Sequence, residues 1–149
     1  MKKTYFLVRV LIIYLFFISS GFAAKSNYFD KGKILFDKKK FEKSKIFFEK
    51  DIVFNPQSEK SYLYLAKIFN KNKNDKEEEM KLNNVLLLNP QNDEAIYMLA
   101  LLKIKQSDYN EAKELIKKFN LVCESFCSKM TEIQKKFDKL GPENARDNN

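Results

Sequence analysis

The chain has 149 residues, 28 basic and 20 acidic side chains, a net charge of +8, 14 Phe and 7 Tyr, and no His or Trp. With no His and only 3 glycines, histidine-based acid–base or nucleophilic catalysis and a glycine-rich phosphate loop are both excluded. The lysines are interleaved with Glu and Asp along the whole chain, which reads as solvated helix faces and argues against a nucleic-acid-binding patch.

Lys2, Lys3 and Arg9 precede an uninterrupted apolar run over 10–18, and Ser19-Ser20-Gly21-Phe22-Ala23-Ala24 follows it. That order is the one of a secretory signal peptide, residues 1–23, with cleavage expected after Ala23. The run falls short of the ~20 residues that span a bilayer, so a periplasmic location is expected, the alternative being an uncleaved inner-membrane anchor. Removing residues 1–23 leaves 25 basic and 20 acidic side chains, a net charge of +5.

Beyond the leader, glycine is limited to Gly32 and Gly141, and the prolines are Pro56, Pro90 and Pro142. So few breakers predict an all-α chain, with helices over 26–38, 41–54, 59–71, 76–88, 93–106, 109–120 and 125–139. Connections of two to five residues make successive helices antiparallel neighbours. Asn55-Pro56-Gln57 recurs as Asn89-Pro90-Gln91, each copy closing an apolar helical run. A fixed period of this length, about 34 residues, marks stacked helical hairpins. Gly32, Ala66 and Ala100 keep the same spacing and are expected where the two helices of each hairpin cross. Asp75 precedes Glu78 by three and Asp108 precedes Glu111 by three, the spacing of a reciprocal N-terminal cap.

In this register the units resemble tetratricopeptide repeats (TPR). The first carries Tyr28, Gly32, Phe41, Ser44, Phe48 and Pro56; the second Tyr62, Leu65, Ala66, Phe69, Leu82, Val85 and Pro90; the third Leu99, Ala100, Tyr109, Ala112 and Ile116. Lys31, Glu78 and Lys103 depart from the pattern at single positions. The resemblance implies a right-handed superhelix of about three hairpins, over 25–58, 59–92 and 93–126, within a domain spanning 24–140. Phe126, Met130, Ile133, Phe137 and Leu140 then form an apolar stripe expected to belong to a capping helix. Residues 141–149 read as a polar tail.

Cys123 and Cys127 are the two cysteines of the chain. Exported repeat proteins of related pattern carry a similar pair at this junction, and that resemblance implies a structural disulfide. A regular helix would hold the Cβ atoms too far apart, so the bridge requires the chain to leave helical geometry there. The rival reading is a thiol–disulfide exchange pair. No metal site is expected, since two thiolates fill half a zinc shell and no His is present, and no cofactor is implied.

In the resembled family the first helix of each hairpin lines a concave face. Transferred to this chain, the groove comprises Phe29, Lys33, Phe36, Leu63, Lys67, Asn70, Lys71, Tyr97, Leu101, Ile104 and Lys105, an apolar floor with a basic rim. Phe29 and Glu94 stand at two positions of the family's carboxylate clamp, so capture of a peptide C-terminus by that clamp is not expected. The function implied is a non-catalytic scaffold that binds a peptide or helix of a cell-envelope protein, with no nucleic acid and no small-molecule substrate.

Overall fold

The computed structural model describes residues 27–140; the expected signal peptide and the 141–149 tail lie outside them. Seven α-helices form among the described residues: α1 (Tyr28–Asp37), α2 (Phe41–Phe54), α3 (Glu59–Lys71), α4 (Asp75–Leu88), α5 (Asp93–Lys105), α6 (Tyr109–Val122) and α7 (Met130–Leu140). The first six lie within one or two residues of their expected positions. The seventh does not, because Cys127–Lys129 forms a short 3₁₀ turn and α7 begins only at Met130.

α1–α2, α3–α4 and α5–α6 are three hairpins, and each A-to-B turn is closed by the same device. Lys39, Lys73 and Ser107 sit at φ of 58°, 55° and 62°, one repeat period apart and in the left-handed region where glycine would be the cheaper residue. The amides that follow, of Lys40, Asn74 and Asp108, donate back to the carbonyls of Leu35, Phe69 and Lys103 at 2.9, 3.0 and 2.9 Å. Hydrogen bonding to the last turn of the preceding helix thus holds a conformation that side chains resist.

The cap expected from Asp75 and Glu78 is shifted by one residue. Asn74 is the cap of α4, its side chain accepting from the Glu77 amide at 3.3 Å, while Glu78 points into the hairpin. Asp108 does cap α6, accepting from the Glu111 amide at 3.2 Å. The reciprocal arm is missing, because the Glu111 carboxylate pairs with Lys103 at 2.9 Å. Asn74 and Asp108 hold the same place in successive units, so the corrected caps keep the full period.

At the B-to-A turns, Asn55 and Asn89 end α2 and α4, and the prolines after them stop the helices. An acid in the first turn of the next A helix reaches over to the following turn. Glu59 accepts from Asn89 at 3.1 Å and from Asn92. Asp93, in the same register, accepts the amides of Glu124, Ser125 and Phe126 at 2.9, 2.7 and 2.8 Å. Residues 123–129 leave the helix at that nest, and the Cα atoms of Cys123 and Cys127 lie 5.2 Å apart there, within the range a disulfide spans.

Gly32, Ala66 and Ala100 are all buried at the crossings. Their partners are matched in size: Phe48 faces Gly32, whereas Leu82 clusters with Ala66 and Ile116 with Ala100. Ser44, at the small position of α2, is buried and donates to the Gly32 carbonyl at 2.7 Å. Glu78 takes the equivalent position in α4 and is 1% exposed. One carboxylate oxygen accepts from Asn70 at 2.9 Å, and the other has no hydrogen-bond partner. Burial therefore raises its pKa, partly offset by the Asn70 hydrogen bond. Lys103, which breaks the aromatic pattern, is buried but held between Glu79 at 2.7 Å and Glu111.

α7 closes the stack. Ile133 is fully buried with Ile116 and Phe119, and Phe126, Met130 and Phe137 pack on that cluster. Leu140, expected at the end of the same stripe, is instead half exposed.

Candidate functional site

The A helices α1, α3 and α5 carry the expected groove. Over the first two hairpins its centre is a ring of aromatics around Tyr64, whose centroid lies 5.7 Å from Phe29, 5.0 Å from Phe36 and 5.0 Å from Phe48. Phe29, Phe36 and Tyr64 are half-buried, while Phe48 beneath them is fully covered. Edge-on and offset contacts at these distances suit the ring quadrupoles and fix the platform. Tyr64 was not among the expected groove residues. The repeat register pairs it with Asp30 and Met98, so no repeated residue type marks the position.

The third hairpin contributes differently. Tyr97, Leu101 and Ile104 belong to the cluster that α7 closes, Tyr97 packing on Phe119 at 5.8 Å and Phe126 at 5.9 Å. Leu63 is likewise buried, between the second and third hairpins. Leu63, Tyr97 and Ile104 form the support of the face, and its solvent-open part is Phe29, Lys33, Phe36, Lys67, Asn70, Lys71, Leu101 and Lys105 together with Tyr64.

The basic rim is largely paired within the molecule. Lys67 Nζ lies 2.8 Å from Glu94 and 4.8 Å from the Tyr64 ring centroid. Lys33 pairs with Asp37 at 2.8 Å, and that hydrogen bond, followed by the charge of Tyr64, raises its pKa. Lys71 lies 4.9 Å over Phe41, and Lys105 pairs with Asp75 at 2.6 Å. Lysine thus borders the aromatic platform, with an acid already beside Lys33, Lys67 and Lys105.

No family model matches the sequence, and no curated protein does. Among solved structures, the fold is similar to the crystal structure of the Sgt2 TPR domain from Aspergillus fumigatus, with a TM-score of 0.64 over 76% of this chain and 78% of that one, at 14% sequence identity. The chain has a tetratricopeptide-repeat fold. In TPR terms α7 takes the place of a further A helix, which is why it covers the third unit's share of the concave face.

The TPR array is tied to its cap by polar contacts that sequence reasoning missed. Burial and then a hydrogen bond to Glu132 of α7 push the Tyr97 hydroxyl up to about 12. Lys129, Lys136 and Tyr97 together hold Glu132 down at about 2. Burial acts against the charge on Asp93, but the amides of Glu124, Phe126 and Ser125 outweigh it and its pKa is lowered. The recurrence of an acid at Glu59 and Asp93 was the available sequence signal. Among the described residues no group of three or more His, Cys, Asp or Glu side chains is placed to hold a metal ion, and no helix is long and apolar enough to cross a membrane.

Proposed function

We propose that this protein is a non-catalytic scaffold that binds a peptide or short helix of a partner protein across the α1–α3 face. The observation that carries the reading is the half-buried platform of Phe29, Phe36 and Tyr64 with Lys33 and Lys67 beside it. Aromatic faces bury apolar anchors with little loss of side-chain freedom, and lysines displaced from Asp37 and Glu94 can meet acids on the ligand. The n-region, apolar run and small-residue end of residues 1–24 support export to the periplasm and a cell-envelope partner.

The test is a photo-crosslinker at Lys71 in envelope extracts. A discrete adduct is expected, lost in the Phe36→Ser/Lys67→Glu variant while its melting curve shows a folded protein. An adduct profile unchanged by that variant would place binding on another face. N-terminal sequencing of the protein recovered from cells checks the export reading, with Ala24 expected as first residue; an intact Met1 would overturn it.

A further inference from the structure

Asn70 and Glu78 break the repeat together. Phe36 and Ile104 hold the register position of Asn70 in the first and third hairpins, and Ser44 and Ala112 hold that of Glu78. The flanking hairpins thus use apolar or small side chains at both places. The second hairpin instead sets a carboxyl that is 1% exposed against an exposed amide of the concave face. Asn70 Nδ2 donates to Glu78 Oε1 at 2.9 Å, and Oε2 has no hydrogen-bond partner. A buried acceptor left unpaired costs free energy, and the neighbouring hairpins avoid that cost.

The chemistry of the two groups says when Oε2 gains a partner. An ionised carboxylate only accepts, so it takes the NH2 group of Asn70 and turns away its carbonyl oxygen. A protonated carboxyl donates and accepts at once, as an amide does. The pair can then close two hydrogen bonds, Oε2–H donating to Asn70 Oδ1 while Nδ2 donates to Oε1. One proton therefore decides whether Asn70 Oδ1 is committed inward or left to the groove. Burial above all keeps the carboxyl neutral to higher pH; the Asn70 bond opposes it, Asp75 adds to it and Lys105 opposes it. The charges facing the pair are themselves partnered. Asp75 of α4 and Lys105 of α5 lie 2.6 Å apart, and Lys103 of α5 is held by Glu79 and Glu111. On α3, Lys67 pairs with Glu94 and Lys71 lies over the Phe41 ring. The chain has no His, the side chain that ordinarily titrates near neutrality, which leaves the buried carboxyl to respond on this face.

We propose that Glu78 is a proton-operated latch on the concave face: protonated, it holds both ends of the Asn70 amide, and ionised, it releases Asn70 Oδ1 to accept a hydrogen bond from the ligand. Its effect on binding rests on the assignment of the ligand to the α1–α3 face. One added hydrogen bond strengthens binding roughly two- to tenfold as pH rises. The first test needs no partner: the Glu78 carboxyl carbon and the Asn70 side-chain amide are followed by NMR in the purified protein from about pH 4 to about pH 8. A shared midpoint above the ordinary carboxylate range is expected, with Asn70 signals independent of pH in Glu78→Gln, whose amide donates and accepts at every pH. Asn70 signals that stay flat while Glu78 titrates would overturn the latch, as would an Asn70 titration that persists in Glu78→Gln. The second test measures the adduct yield from the Lys71 photo-crosslinker at about pH 5 and about pH 8. A rise of roughly two- to tenfold in the wild type and none in Glu78→Gln is expected; an equal rise in both would sever the latch from binding. No adduct at either pH would overturn the binding role, whereas the NMR titration decides the Asn70–Glu78 exchange independently of it.

Discussion

Gly32→Ala is expected to destabilise the protein even though it replaces glycine within a helix. A Cβ at Gly32 would lie 2.7, 2.8 and 3.1 Å from three atoms of the Phe48 ring, and that ring has little freedom to retreat. It is fully buried and held between Phe29 at 5.8 Å and Tyr64 at 5.0 Å. Forcing a methyl into such packing costs about 1–3 kcal/mol, against a gain of roughly 1 kcal/mol in helix propensity. The net loss should reach up to about 2 kcal/mol, seen by circular dichroism as a fall in Tm of up to about 8 °C for a domain of this size. Phe48→Leu alone should cost a similar amount by leaving a cavity. The double variant recreates the Ala66–Leu82 pairing of the second hairpin, so its loss should be smaller than the sum of the two by about 1–2 kcal/mol. Additive losses would refute the idea that glycine is needed here because of the ring opposite it.

Three further outcomes follow from the buried and nested groups. Burial raises the folded-state pKa of Glu78, so the folded state binds its proton more tightly, and its contribution to stability declines as pH rises through the carboxylate range to the folded pKa. Glu78→Gln should therefore stabilise at pH 7 by about 1–2 kcal/mol, with the gain shrinking towards acid pH in urea titrations; a gain independent of pH would rule out titration of Glu78 as its cause. Asp93 has a lowered pKa, so its contribution is present above the unfolded-state value and is lost as pH falls through the folded one. Asp93→Asn should cost about 1–2 kcal/mol at neutral pH and speed proteolysis near residues 123–129. Thiol titration of the unreduced protein should find neither Cys123 nor Cys127 free, and Cys123→Ser should cost about 2 kcal/mol. Two free thiols in that titration would remove the bridge.

The sequence by itself determined the all-helical class, the repeat period, three buried small residues and six helix positions. All of these rest on local propensity and nearest-neighbour packing, which each repeat states again in its own residues. The outline of the groove on α1 and α3 followed from the same register. Tertiary structure alone decided which groove positions remain open. Tyr97 and Ile104 stand in register with Phe29 and Phe36, but α7 folds back over them because the end of a stack must cover its last apolar face. It also decided the charge of the rim, since Lys67–Glu94 and Lys105–Asp75 join side chains distant in sequence that only the superhelix brings together. The shift of the α4 cap from Asp75 to Asn74 has the same origin: the left-handed turn at Lys73 sets where α4 begins, and packing then turns Glu78 inward.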